Sequence, residues 1–130
     1  MHPFRMAVEA HDTDAVEALL ADDVEFISPV AFTPYRGKAI TAAILRGVLR
    51  VFEDLRYVQE TASPDGRDHT FTFETTVAGK RITGCDFLHF DENGLITRFM
   101  VMVRPLSGAM ALAEAMGEQF EQIAAEAARA

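Results

Sequence analysis

The sequence has a single cysteine, no tryptophan and fewer basic than acidic residues. With Cys85 alone, no disulfide can form within the chain, and a zinc site built on paired cysteines is excluded. Lys and Arg number 12 against 20 Asp and Glu, a formal charge of -8, and no basic cluster offsets it. Nucleic acid and anionic membrane surfaces are therefore not expected as partners. No apolar run approaches the roughly 20 residues of a membrane helix, and no basic start leads into an apolar signal segment, which predicts a cytoplasmic protein. No HxxxH or HxxE pair falls on an expected helix, so neither a metal nor another cofactor is expected. Repeats, linkers and low-complexity tracts are also missing. At 130 residues and 49% apolar content, one domain over 1–130 with a single core is expected.

What the chain does have is periodicity. Pro3 to Ala21 reads as helix in two pieces. Pro3 suits a first turn, Phe4, Ala7 and Val8 share a face, and Asp12 or Thr13 caps the second piece, whose Val16, Leu19 and Leu20 face inward. A turn is expected at Asp22 and Asp23, then a short strand over Val24–Ile27, then a loop fixed by Pro34 and Gly37. From Lys38 to Phe52, the residues Ile40, Ile44, Leu45, Val48, Leu49 and Phe52 recur with helical period opposite Lys38, Thr41, Arg46 and Arg50. Strands follow over 55–61, 70–77, 84–90 and 95–104, joined by turns at Ser63–Asp68, Ala78–Gly79 and Asp91–Gly94. Past Pro105, Ala109 to Ala128 reads as helix. This order predicts an α+β domain with helices on one face of an antiparallel sheet.

One side chain breaks the pattern. On a strand over 84–90, Asp86 shares a face with Leu88 and Phe90, while Cys85, Phe87 and His89 point the other way. A carboxylate in an oily row costs several kcal/mol unless it is paired, neutralised or hydrogen-bonded. Asp86 therefore reads as the polar group of an internal apolar pocket, with a raised pKa and the proton largely retained near neutral pH. Tyr35 and Tyr57 are the hydroxyls that can reach it. The expected walls are Phe4, Ser28, Ile44, Val48, Phe52, Phe73, Leu88, Phe99, Val101 and Val103. Cys85 reads as packing, and His11 and His89 as surface histidines.

The succession Ala21-Asp22-Asp23, Ser28-Pro29-Val30, Tyr35-Arg36-Gly37, a helix, and Gly84-Cys85-Asp86-Phe87-Leu88-His89-Phe90-Asp91-Glu92-Asn93-Gly94-Leu95-Ile96 resembles the NTF2-like superfamily. Within it, the chain is similar to the SnoaL-like group and the ketosteroid isomerases, from about Phe4 to Val103. The resemblance implies a cone-shaped, cystatin-like fold whose curved antiparallel sheet and helices enclose a pocket. It identifies the fold better than the activity, because isomerases, cyclases, hydrolases and non-catalytic domains share it. In ketosteroid isomerases an acid matching Asp86 stays protonated and donates to the substrate oxyanion. Their proton-moving base falls on Ser28 here, and their tyrosine donor on the first helix falls on Phe4. Neither can play that part, so isomerisation by that mechanism is not expected. SnoaL-type cyclases pair a pocket acid with a histidine, but His89 lies off the face of Asp86 and His11 lies near a helix end.

Two expectations follow. In one, a small, mostly apolar molecule occupies the cone with Asp86 as its polar anchor, for binding or for isomerase, cyclase or hydrolase chemistry. In the other, the chain is a non-catalytic dimerisation or ligand-carrier domain with a filled or relic pocket. The outer sheet face carries Phe87, Met100 and Met102, which predicts a homodimer, as the resemblance also implies. The segment 105–128 is expected to serve as a lid or as partner surface.

Overall fold

The computed structural model describes residues 2–129. The chain begins with two short helices, α1 (Pro3–Glu9) and α2 (Thr13–Ala18). Each has a side-chain cap: the Phe4 N–H donates to His2 Nδ1, and the Ala15 N–H donates to Asp12 Oδ1. These bonds satisfy donors that a helix start leaves open. The strand β1 (Leu20–Ile27) follows directly. Asp22 and Asp23 therefore do not form the expected turn. Leu20, Ala21, Val24 and Phe26 are all buried, so the strand runs on, and the two exposed acids sit where its register against β6 (Ile96–Arg104) shifts.

A two-residue strand, β2 (Tyr35–Arg36), lies in the expected loop, and α3 (Lys38–Val51) comes next. The chain then forms β3 (Glu53–Ala62), β4 (Asp68–Val77), β5 (Lys80–Phe90), β6 and the long helix α4 (Leu106–Arg129). The six strands form one curved, unclosed sheet in the order β2-β1-β6-β5-β4-β3. It is mixed, not antiparallel throughout as expected, because β1 runs parallel to β6. With β4 already on the far side of β5, the open edge of β6 is where the apolar face of β1 can continue the core.

All helices that bury apolar residues do so against the concave side. The expected stripe on α3 supplies buried Ile44, and its small residues Ala43 and Gly47 let another helix approach. That helix is α4: a Cβ added at Gly47 would lie 2.9 Å from Ile123 Cδ1. Arg50 and Glu126 pair at 3.0 Å along the same contact. On the convex side, Phe87 lies opposite Met100 and Cys85 opposite Met102, half-buried except for Met102, which is 54% exposed. No helix among the described residues is long and apolar enough to cross a membrane.

Candidate functional site

Alternation along β5 turns Ile82, Gly84, Asp86, Leu88 and Phe90 inward, all buried. Gly84 makes room for a wall: a Cβ there would lie 2.3 Å from Phe73 Cζ, so only glycine lets that ring lie across β5. Asp86 is opposite Phe71 of β4 and Val101 of β6. From β3, one strand beyond β4, Tyr57 reaches over Phe71 and Phe73, and its hydroxyl donates to Asp86 Oδ2 at 2.6 Å. Three rings hold the phenol in place, with centroids 6.1 Å away for Phe4, 5.7 Å for Phe71 and 6.1 Å for Phe73.

Burial pushes the Asp86 carboxyl up to about 7, and the bond from Tyr57 holds it from rising further. Near neutral pH the group is thus divided between acid and carboxylate, a weaker retention of the proton than the sequence suggested. Tyr57 moves well above the usual phenol range, through burial first and then the adjacent Asp86 charge and the bond to it. It remains a donor at every physiological pH. Among the described residues, Tyr57 is the one side chain bonded to the Asp86 carboxyl, on a single oxygen. The other oxygen can donate to a neighbouring acceptor when protonated and accept from a donor when ionised.

These groups border a cavity of about 310 Å3 between the sheet, α3 and α4. Phe4, Ile44, Val48, Phe52, Tyr57, Phe73, Asp86, Phe99 and Val101 line it, as do Ser28 and Tyr35. Val30 and Phe120 line it while remaining substantially exposed, so they mark its mouth. Leu88 and Val103 are not on its wall, contrary to expectation. Phe4 spans from Phe71 to Phe99 by ring contacts, and Leu88 is buried one inward step further along β5 than Asp86. Val103 lies opposite Gly84 near the end of β6, where it is only half-buried.

The other sequence candidates are used differently. Ser28 Oγ accepts from the Val30 and Ala31 N–H groups, both at 3.1 Å, and so shapes the loop at the mouth. Tyr35 stands near Phe120 of α4, with ring centroids 6.4 Å apart, and is not a partner of Asp86. Cys85 points to the outer face, and burial raises its thiol pKa. His89 Nδ1 pairs with Asp68 Oδ1 at 2.7 Å on the surface, and His11 sits between α1 and α2 with φ 55°. The segment 105–128 was expected as a lid or as partner surface, but no residue of it was named for the wall; α4 contributes Leu112, Met116 and Ile123 there. The signal was present in their helical spacing, without an indication of which surface they would meet.

The wall is almost wholly apolar, and its polar side chains are Ser28, Tyr35, Tyr57 and Asp86. Such a site can hold an apolar body and bind one polar atom at Asp86. Any proton transfer there would have to be given and taken by the same carboxyl.

The search of the curated proteins finds no match to this chain. Among solved structures, a steroid delta-isomerase from Pseudomonas aeruginosa is 38% identical, covering 94% of this chain and 89% of that one, with a TM-score of 0.88. An uncharacterised bacterial protein with a cystatin-like fold from Silicibacter pomeroyi is 32% identical over 90% of this chain and 82% of its own, with a TM-score of 0.85. A LEH-like epoxide hydrolase from M. tuberculosis shares the fold at 22% identity and a TM-score of 0.61, covering 92% of this chain and 91% of that one. The family model of the SnoaL-like domain matches residues 3–99. The chain therefore belongs to the SnoaL-like family, within the NTF2-like superfamily.

Proposed function

We propose that the protein binds one small, mostly apolar molecule in the cavity and anchors its single polar atom on Asp86. The observation that carries this reading is the buried carboxyl, with one oxygen bonded to Tyr57, on the wall of an otherwise apolar cavity of about 310 Å3. That volume lies at the lower end of the roughly 300–1,000 Å3 of small-molecule sites. A relic pocket filled by side chains would have closed it. The steroid delta-isomerase likeness supports a rigid, largely hydrocarbon ligand with a carbonyl oxygen. Protonated Asp86 would donate to that oxygen, and α3 and α4 would cover the hydrocarbon.

Turnover, where it occurs, would be proton transfer through Asp86, whose pKa of about 7 suits both directions. A second reading is binding without turnover. It is favoured by the wall's lack, among the described residues, of a second carboxyl or a histidine: Ser28 is engaged by its own loop, the Tyr57 hydroxyl is bonded to Asp86, and Phe4 has no proton to give.

The test is a thermal-shift panel of polycyclic ketones and size-matched hydrocarbons, on the wild type and on Asp86→Leu. Ketones that raise Tm in the wild type should lose that effect in Asp86→Leu, while hydrocarbons shift both equally. Ketones that stabilise both proteins alike would remove Asp86 as the anchor.

The outer sheet face supplies a contact for a second copy. Phe87 and Met100 sit side by side, Met102 is 54% exposed, and α4 packs on α3 instead of over this face. Light scattering tests the homodimer: a mass near two chains should fall towards one in Met100→Glu, and a wild type of one-chain mass at micromolar concentration rejects it.

A further inference from the structure

The backbone of Tyr57 is held from outside the sheet. β3 is an edge strand, and its register against β4 slips between Tyr57 and Gln59, so the ladder alone fixes this residue poorly. Two side chains one helical turn apart on α1 close the gap. The Tyr57 N–H donates to Glu9 Oε2 at 3.1 Å, and Arg5 Nη2 donates to the Tyr57 carbonyl at 3.0 Å. Arg5 Nε also pairs with Glu9 Oε1 at 3.4 Å, so the two charged groups and one peptide backbone form a closed ring. Arg5 Nη1 lies 3.7 Å from Glu60 Oε1, a second tie to β3. Just before Arg5, α1 also sends Phe4 against the Tyr57 ring.

We infer that Arg5 and Glu9 are positioning residues for Tyr57, and through its hydroxyl for the Asp86 carboxyl at the cavity wall. The inference rests on the reading of Asp86 as the anchor of the site, but its test does not require a ligand. Edge-strand N–H and C=O groups otherwise bond to water and leave the strand free to shift. A shift of a few tenths of an ångström at Tyr57 would stretch a 2.6 Å bond that crosses a whole strand. The ring of contacts removes that freedom and sets how firmly the phenol holds Asp86.

The charges give this idea a test of sign. Tyr57 is the titratable group that faces Asp86 across the sheet, α1 brings Arg5 and Glu9 behind it, and the α3 and α4 residues on the cavity wall carry no charge. Removing the negative charge of Glu9 would by Coulomb's law alone lower the Asp86 pKa. Loosening Tyr57 would raise it, because the bond from Tyr57 favours the carboxylate.

The experiment is an NMR titration of the Asp86 carboxyl in the wild type, Tyr57→Phe, Glu9→Ala, Glu9→Gln and the Tyr57→Phe/Glu9→Ala double variant. Tyr57→Phe should raise the Asp86 pKa by roughly one pH unit, about the worth of one hydrogen bond to a charged group. Glu9→Ala should move it the same way by a smaller amount, Glu9→Gln should restore it, and Glu9→Ala should add no rise in the Tyr57→Phe background. An unchanged or lowered Asp86 pKa in Glu9→Ala, with only Tm reduced, would make the ring a structural tether and overturn the inference. If Glu9→Ala does not fold, Arg5→Met takes its place. It too should raise the pKa, and it must do so with Tyr57 present and less so in the Tyr57→Phe background; an equal rise in both would be the direct effect of the lost charge and would overturn the inference. Failure of the ligand test with Asp86→Leu would remove the anchor and leave this coupling standing.

Discussion

Asp86 in the cavity and Asp65 in the turn between β3 and β4 carry the same side chain in opposite surroundings. Asp65 is in water, and its carboxylate accepts from Ser63 Oγ at 2.6 Å and from the Arg67 N–H at 3.0 Å, which hold its pKa below the usual value. Asp86 accepts from Tyr57 at the same distance of 2.6 Å, yet burial carries its pKa up to about 7. Hydrogen-bond length therefore does not decide the proton affinity here. Loss of water outweighs one good donor at Asp86, whereas at Asp65 the two donors outweigh a smaller desolvation.

The largest effect expected from this difference is a pH-dependent stability that belongs to Asp86. Its folded pKa of about 7 lies above the ordinary aspartate value of 3.8, so folding favours the protonated form. The stabilisation is complete below about pH 4, declines as pH rises and is lost once pH passes about 7, a total of roughly 4 kcal/mol. Urea unfolding at pH 4.5 and pH 8 should show that Asp86→Asn, which carries no titrating group, loses less stability over this interval than the wild type. Parallel curves would mean that Asp86 titrates like Asp65.

Next in size is a change to the wall that leaves the acid alone. Gly84→Ala places a methyl group 2.3 Å from Phe73 Cζ and 2.9 Å from the Met102 carbonyl oxygen, neither of which can yield without moving a strand or a packed ring. A loss of roughly 2 kcal/mol is expected in the denaturant midpoint. A neutral outcome would show that Phe73 can turn aside, and with it part of the cage around Tyr57.

Tyr57→Phe sharpens the comparison by removing the donor from the buried acid. The expected cost is roughly 1 kcal/mol at pH 8, where Asp86 is ionised, and less at pH 5, where it is protonated. Equal losses at both pH values would mean that the bond does not distinguish the two forms. The smallest effect belongs to the turn. Ser63→Ala should let the Asp65 pKa rise towards its usual value by NMR while leaving the melting temperature unchanged, because water replaces the lost donor.

The sequence made one face of β5 legible because a strand has a period of two, and a single acid among Leu88 and Phe90 stands out against it. The stripe on α3 was legible for the equivalent reason. Contacts distant in sequence were not. The parallel pairing of β1 with β6 joins residues such as Phe26 and Phe99, and no local pattern announces a neighbour that far along the chain. The choice between Tyr35 and Tyr57 depended on the sheet geometry that carries Tyr57 across β4, and strand alternation put Leu88 on the inner face without showing that the cavity stops short of it. Arg5 and Glu9 were not singled out in the sequence at all, since their common target is on another element.

The close seating of α4 on α3 divides the cavity between two parts of the chain. Gly47 admits Ile123 to near contact, Arg50 and Glu126 hold the helices in register, and α4 then supplies Leu112, Met116 and Ile123 to the wall. The residues matched by the family model end at 99, before α4 begins at Leu106. Asp86, Tyr57 and the ring that holds them lie within the matched part. Part of the cavity's size is thus set outside the matched segment: a substitution at Met116 would resize the chamber from the α4 side without touching Asp86 or Tyr57.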